Sequence, residues 1–437
     1  MSAREPFVYA GPLSLIPGER RRALVERGRS ELAAARVDVL PIWFDVRDNG
    51  DEALVRLTEK FDGARLDRLR VEDWERRKVA AELPRADREA LEMAAERIRA
   101  YHEKQVPAGF ETTLEDVRLG WKPVPLDRIG IYVPGGRAAY PSTLLMAAIP
   151  AKVAGVRELV VCTPPARDGS LSPALLSAAE IAGVDEIFRV GGAQAVFAMA
   201  VGTKTIRPVR KIVGPGSVYV QAAKQLVRGE VGIDGIAGPS EVLVVVDDPQ
   251  HATLAAWELA AQAEHAPDAA CVLVATGEPL RAAVEAELSH IVPTLPRAET
   301  IKAALARNGA LLSVKNVDEA LAFANEYAPE HLVLLVRDPR AALATVRSAG
   351  SVFLGPHSPV ALGDYCAGTN HVLPTSGAAR HASGLSVLDF VRFVQWQEAT
   401  ARGLARVGPI GERLATLEGL SGHAGAIAAR LPRRSAR

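Results

Sequence analysis

The sequence predicts an α/β protein with two doubly wound parallel-sheet domains and helical extensions at both chain ends. Three observations predict it. Short apolar runs such as Leu159 to Cys162, Val242 to Val246 and Leu332 to Val336 have the length of buried strands. Stretches of helical length separate them, and the connections are short and glycine-rich, as parallel sheets covered by helices require.

The first set of elements begins at residue 128. Arg128 to Val133, Glu158 to Thr163, Glu186 to Val190 and Lys211 to Val213 read as strands. Ser142 to Gly155, Ser172 to Ala182, Ala193 to Val201 and Ser217 to Arg228 read as the helices between and after them. A second set starts at Glu241, with strands at 241–246, 270–275, 310–314, 332–336 and 351–354. Its helices fall at 251–265, 279–290, 297–307, 317–327 and 338–348. Residues 1–125 read as mostly helical, with charge-rich periodic stretches at Gly18 to Arg36 and Ala86 to Tyr101. After Gly384 the pattern predicts an amphipathic helix over Ser386 to Leu404, then a helix ending at Arg433-Arg434, with no strand in this tail. Such an appendage packs on another domain or another subunit.

Composition narrows the function. Of 437 residues, 48% are hydrophobic and 24% charged, which is globular and not disordered. Fifty-two basic residues balance 52 acidic ones, so no overall field draws nucleic acid or an anionic membrane. No apolar run approaches the roughly 20 residues of a membrane helix, and the N-terminus lacks the signal-peptide pattern. Three cysteines make no disulfide framework in a chain this long, so a cytoplasmic location is expected.

Four glycine turns stand out: Val133-Pro-Gly-Gly136, Val190-Gly-Gly192, Val213-Gly-Pro-Gly216 and Ala237-Gly-Pro-Ser240. Each reads as the end of a strand, where glycine lets a ligand approach the backbone and leaves a helix N-terminus open to an anion. Singly, each is explained as a tight turn. Three of them in one sheet point to a nucleotide site, although none matches G-x-G-x-x-G.

The polar constellations are fewer. Gln262 and His265 lie three apart on one face of a helix that Pro267 stops; a histidine there also serves simply to complement the helix dipole. Glu330-His331 precedes an apolar strand and reads either as an acid–base pair or as a capping pair in a polar loop. Gly363 to His371 is the densest polar stretch, with Asp364, Asn370 and His371. Glu418 and His423 form another acid and imidazole pair in the tail. The Gln, His, Asp and His groups have the chemistry of metal ligands, at separations too wide for spacing alone to define a site. Cys162 reads as a buried apolar group in place of a thiol nucleophile, and Cys366 has no basic partner in sequence.

Together these segments resemble the histidinol dehydrogenase family over almost the whole chain. The strongest block is Ile233-Asp-Gly-Ile-Ala-Gly-Pro-Ser-Glu-Val-Leu243 followed by Gln262-Ala-Glu-His265. YVPGGRAAYPS (132–142), VGGAQA (190–195), KIVGPG (211–216), APEHL (328–332), SVFLG (351–355), GDYCAGTNHVLPTSG (363–377) and EGLSGHA (418–424) add to it. The resemblance implies a cytoplasmic homodimer with shared active sites, one zinc per subunit, and oxidation of L-histidinol through an aldehyde to L-histidine with reduction of two NAD. It implies zinc ligands at Gln262, His265, Asp364 and, from the neighbouring subunit, His423. Glu330 and His331 fall at the acid–base pair. Ser240, His371 and Glu418 fall at substrate contacts beside the metal ligands and His331, and Tyr132 and Gln194 at NAD contacts. Ser217 stands where the family usually has Asn, also an NAD contact.

Domain boundaries follow from combining motifs with elements. Residues 1–30 are expected to form an N-terminal helical extension. Residues 31–126 and 237–384 are expected to form the first domain, carrying the metal and acid–base residues. Residues 127–236 form the second, NAD-binding one, both incomplete Rossmann-like, and 385–437 a helical tail reaching the partner subunit. Rival readings are a sister dehydrogenase acting on a sulfonated diol, a zinc hydrolase using Glu330 as base, and a non-enzymatic scaffold. Glu418, His371 and His423 argue against the first, and ionisable residues at strand ends against the last.

Overall fold

The structure, a computed structural model, describes residues 6–27, 29–135, 140–235 and 238–431, with the side chains of residues 29–31 excepted. Gly136, Arg137, Ile236, Ala237 and the Arg433-Arg434 end of the tail therefore lie outside the described residues, including parts of two glycine turns. The strands are β1 (Tyr9–Pro12), β2 (Phe110–Leu114), β3 (Val117–Pro125), β4 (Arg128–Tyr132), β5 (Glu158–Thr163), β6 (Glu186–Arg189) and β7 (Lys211–Val213). They continue as β8 (Gly232–Ile233), β9 (Glu241–Val246), β10 (Ala270–Thr276), β11 (Gly309–Val314), β12 (His331–Leu335), β13 (Ser351–Leu354) and β14 (Val391–Ala399).

Two parallel sheets form, as the alternation predicts. The five-stranded sheet runs β6-β5-β4-β7-β8 and the six-stranded sheet β1-β11-β10-β9-β12-β13. Setting β1 aside, both have the same winding: three strands laid outward, then a return past the first. That winding places a topological switch between β4 and β7 in one sheet and between β9 and β12 in the other. Their strands read as continuous apolar runs because both faces are covered. Val242, Val244 and Val246 enter the cluster under helices Ala252–Ala263 and Glu278–Ile291, while Leu243 and Val245 enter the one under Val317–Tyr327. All five are fully buried; each such side chain contributes about 1.5–3 kcal/mol relative to exposure.

The N-terminal region departs from a purely helical reading. β1 adds to the edge of the six-stranded sheet by pairing with β11, so the expected helical extension 1–30 also contributes a strand. β2 and β3 form a hairpin through a turn in which Glu115 and Asp116 have positive φ. The helical segment Arg29–Asp62, broken at Gly50, packs on helices Gly192–Val201 and Val218–Val227. Helix Arg85–Glu103 packs on Pro141–Val153 and Pro173–Ile181. Both helices thus pack over the five-stranded sheet.

The tail needs a further correction. Residues Ser386 to Leu404 are not one helix. Ser386 and Asp389 form a capping box over a single turn, Val387–Phe390, and the chain then extends as β14, antiparallel to β3. Aromatic pairing explains the strand. Phe393 stacks on Trp121 at 4.0 Å between ring centroids. Trp396 lies over Gly120, where an added Cβ would come within 2.5 Å of the indole. Helices Ala401–Leu417 and Ser421–Ala428 follow and pack on each other.

Candidate active site

The glycine turns assemble at the carboxyl edge of the five-stranded sheet. Gly214 has φ of +113° and lies so close to the Tyr132 carbonyl that an added Cβ would come within 2.1 Å of it; only glycine fits there. Asp234 accepts the Gly214 N–H at 2.7 Å, and buried Lys224 binds both Asp234 (2.5 Å) and the Gly214 carbonyl (2.7 Å). Of the fourth glycine turn, Gly238 to Ser240 lead into β9, on the connection between the two sheets.

Tyr132 is buried, and its hydroxyl accepts the N–H of Gly192 at 3.1 Å, at the start of helix Gly192–Val201. Burial pushes the phenol up to about 12, so it stays neutral. Gln194 is buried in the first turn of the same helix, its Nε2 without a protein partner. Ser217 is exposed at the N-cap of helix Val218–Val227 and its side chain makes no capping bond. A buried orphan amide, an uncapped helix start and a switch point between β4 and β7 fit a dinucleotide.

Asp62 ends the helical segment beside this region, its Oδ2 buried and unpartnered. Burial raises its carboxyl to about 6, from an ordinary 3.8. The folded chain therefore binds a proton more tightly than the unfolded chain, and stability falls as pH rises between those values before levelling off. Asp62→Asn should raise stability by about 1 kcal/mol at pH 8, discounted for partial solvation, and change little near pH 3. Thermal melts at the two pH values check this; no gain at pH 8 contradicts it.

The ionisable residues collect at the amino edge of the six-stranded sheet. Pairing places His331 level with Val242 on β9 and Ser351 on β13. Glu330 and His331 are 6% and 4% exposed, so their charges depend on each other and on the backbone. Glu330 Oε2 accepts the Glu241 N–H at 2.8 Å and lies 3.5 Å from His331 Nδ1. His331 Nδ1 is 2.9 Å from the Glu241 carbonyl, which fixes it as the protonated nitrogen. Nε2 then projects 3.7 Å from Asp364 and has no hydrogen-bond partner.

Burial raises Glu330 to about 7, against the pull of the His331 charge and the Glu241 N–H. Burial works against a charged His331 too, but the Glu330 and Asp364 carboxylates outweigh it and hold the imidazole up at about 9. Asp364 would be raised by burial; His331, with His371 and His265 beyond it, holds it below the usual carboxylate range. The chain thus brings His265, His331, Asp364 and His371 into one electrostatic neighbourhood.

The polar loop positions two of these. Asp364 belongs to the short helix Val360–Tyr365, whose first N–H is bound by Glu258 at 3.2 Å. His371 Nδ1 donates to the Asp364 carbonyl at 2.8 Å, and its Nε2 meets the Thr143 hydroxyl at 3.3 Å, linking the loop to helix Pro141–Val153. Asn370 is buried behind, bound to the Met146 carbonyl at 2.7 Å and to His102 at 3.3 Å. Gln262 lies in the last turn of helix Ala252–Ala263, 3% exposed with an orphan Nε2, and His265 follows just past the helix end. Ser240 sits half-buried immediately before β9.

Glu418 and His423 are exposed on the tail. Among the described residues, no hydrogen bond or ion pair joins them to Gln262, His265 or Asp364, and no group of three His, Cys, Asp or Glu gathers as a metal site. The tail's helix Ala401–Leu417 leaves Val407, Ile410, Leu414 and Leu417 exposed along one stripe.

Residue types and spacing do not single out Glu241, Arg27 or Glu258. Glu241 stands inside a recognised motif, but its contribution is through backbone atoms; Arg27 carries no local signal. Cys162 is fully buried, and its thiol is raised by burial, in accord with an apolar role.

A doubly wound sheet with an uncapped helix start at its switch point, together with a buried carboxylate–imidazole pair, is the layout of a dehydrogenase-type α/β protein. The model of the histidinol dehydrogenase family matches residues 25–431. A histidinol dehydrogenase of Methanothermobacter thermautotrophicus is 48% identical, covering 93% of this chain and 96% of its own. One of Gluconobacter oxydans is 46% identical over 93% and 95%. The crystal structure of histidinol dehydrogenase from Elizabethkingia anophelis superimposes with a TM-score of 0.91 at 37% identity, covering 97% of both chains. The chain belongs to the histidinol dehydrogenase family, whose members are NAD-dependent oxidoreductases.

Proposed function

We propose that this chain oxidises L-histidinol through L-histidinal to L-histidine, reducing two NAD in turn, in the cytoplasm and as a homodimer. Family membership supports the substrate. The observation that carries the mechanism is the Glu330–His331 pair, with Nδ1 of the imidazole committed to a backbone carbonyl and Nε2 left free.

Gln262, His265 and Asp364 would hold zinc, with the partner subunit's His423 completing the set. Buried Gln262 offers an amide oxygen, burial holds the His265 imidazole below its usual range and so neutral, and Asp364 is a carboxylate; these are donors of the kind zinc takes. When bound, zinc supplies an anchor for the substrate's imidazole and amine and offsets the Asp364 charge that keeps His331 protonated.

The chain's own groups carry the protons. His331 Nε2 accepts the hydroxyl proton as hydride leaves the carbinol carbon. Glu330 then takes a proton from the water that adds to the aldehyde, and His331 serves again as base when the hydrate is oxidised. Ser240, His371 and Glu418 contact substrate in this reading, while Tyr132, Gln194 and Ser217 line the NAD crevice. No helix among the described residues is long and apolar enough to cross a membrane.

Purified protein should contain about one zinc per chain, as a single four-ligand site requires. It should produce NADH with histidinol, lose that activity to a chelator and regain it with zinc. A fully active preparation free of divalent metal rejects the zinc assignment. NADH formation from dihydroxypropane sulfonate in place of histidinol would transfer the chain to the sulfonated-diol reading.

A further inference from the structure

Glu330 and His331 face the substrate, and both lean on a single residue behind them. The Glu241 N–H holds the Glu330 carboxylate at 2.8 Å, and the Glu241 carbonyl holds His331 Nδ1 at 2.9 Å. The ladder between β9 and β12 begins one residue later, at Val242 and His331. Glu241 is the first residue of β9; in this parallel register its carbonyl also faces the His331 N–H, while its own N–H turns to Glu330 in place of a strand partner. Beyond that, the residue is anchored by its side chain, 2% exposed.

Arg27 grips that side chain with both arms of its guanidinium: Nε to Oε1 at 2.7 Å and Nη2 to Oε2 at 2.5 Å. The Ser376 N–H adds a third bond, to Oε1 at 2.8 Å. The remaining donors of Arg27 reach the Leu24 carbonyl and the carboxyl end of helix Val317–Tyr327. Nη1 binds the Tyr327 carbonyl at 3.1 Å, and Nη2 reaches the Ala328 carbonyl at 3.5 Å. Ala328 has φ of +52°, a left-handed conformation that alanine rarely adopts, and Pro329 separates it from Glu330. The guanidinium also lies 3.5 Å from the Tyr327 ring centroid. One cation thus fixes both the start of β9 and the turn that delivers the pair into β12.

We propose that Arg27 and Glu241 form a buried positioning pair that sets the orientation of Glu330 and His331 without touching substrate. A planar, bidentate fork constrains orientation as well as distance. A reacting group displaced by about 1 Å forfeits on the order of 100-fold in rate, which gives the pair catalytic leverage from behind the sheet. The proposal rests on the acid–base assignment above.

The experiment compares Arg27→Met, Arg27→Lys, Glu241→Gln and the double variant Arg27→Met/Glu241→Gln in the zinc-loaded enzyme. It reads kcat and KM for histidinol and for histidinal, zinc content and thermal midpoint. Arg27→Met and Glu241→Gln should each lower kcat roughly 10- to 100-fold, in both half-reactions, with KM and zinc content unchanged. Arg27→Lys should recover part of the loss, since it keeps the charge and not the fork. The double variant should be no slower than Arg27→Met, because the two changes remove one device. A purely structural pair would lower the thermal midpoint and leave kcat per folded site intact, and that result overturns the proposal. Should Arg27→Met fail to fold, Glu241→Gln, of the same shape, decides the question alone. Glu330→Gln and His331→Asn run alongside. If Glu330→Gln loses histidinal oxidation and His331→Asn loses both steps while the Arg27 and Glu241 variants turn over normally, only the positioning role fails. If Glu330→Gln keeps full turnover of histidinal, or His331→Asn of both substrates, the acid–base assignment fails and the positioning role with it.

Discussion

Glu330→Gln is expected to slow the oxidation of histidinal to histidine by roughly 10²- to 10⁴-fold, the usual contribution of a positioned general base, while slowing histidinol to histidinal far less. Addition of water to the aldehyde needs a base, and alcohol oxidation draws only on His331. The amide keeps the shape of Glu330 and loses the proton acceptor. His331→Asn should impair both half-reactions. The pH dependence has a defined sign. Burial places Glu330 at about 7, and its working form is the carboxylate. Histidinal oxidation should therefore fall as pH drops through about 7, and this limb should disappear in Glu330→Gln. Its neighbour His331 shares the titration, so the limb belongs to the pair. Stopped-flow assays with histidinal supplied directly separate the two steps; equal losses in both contradict the role given to Glu330.

Mixing two separately inactive variants, His331→Ala and His423→Ala, should restore activity. If the partner subunit's His423 completes each site, a mixed dimer holds one site with both lesions and one with neither. Random reassortment of equal amounts makes about half the dimers mixed, so roughly a quarter of all sites become intact by two-fold symmetry. The exposed tail carrying Glu418 and His423, and the apolar stripe Val407, Ile410, Leu414 and Leu417 beside it, motivate this arrangement. Unfolding and refolding the mixture and following NADH tests it. Absence of recovery, with mixed dimers confirmed by mass, rejects the shared site.

Local chemistry makes much of the fold legible in the sequence. Strands buried on both faces read as apolar runs, so β4 to β7 and β9 to β13 fall where the alternation places them. The helices between them end where glycine and proline end them. The tail strand is hidden because Val391 to Ala399 alternates only weakly between inner and outer residues, and its support is the Trp121–Phe393 stack with a strand far away in sequence. The same holds for β1, a short edge strand defined by β11. No repeat stands out in the sequence, yet the two sheets share one winding order, because winding depends on which strands meet and not on which residues build them.

The sequence by itself determined the doubly wound class, the family, and the residue types available for chemistry at Glu330, His331, Gln262, His265 and Asp364. Those are properties of short segments, and segments carry them. Tertiary structure alone decided that the pair lies at the amino edge of one sheet while the glycine turns line the carboxyl edge of the other. It also decided that His331 commits Nδ1 to Glu241, and that Arg27, 214 positions before Glu241, holds that residue in place. The reason is physical: a proton's position and a carboxylate's charge are set by what lies within a few ångströms in space, and folding chooses those neighbours from anywhere along the chain.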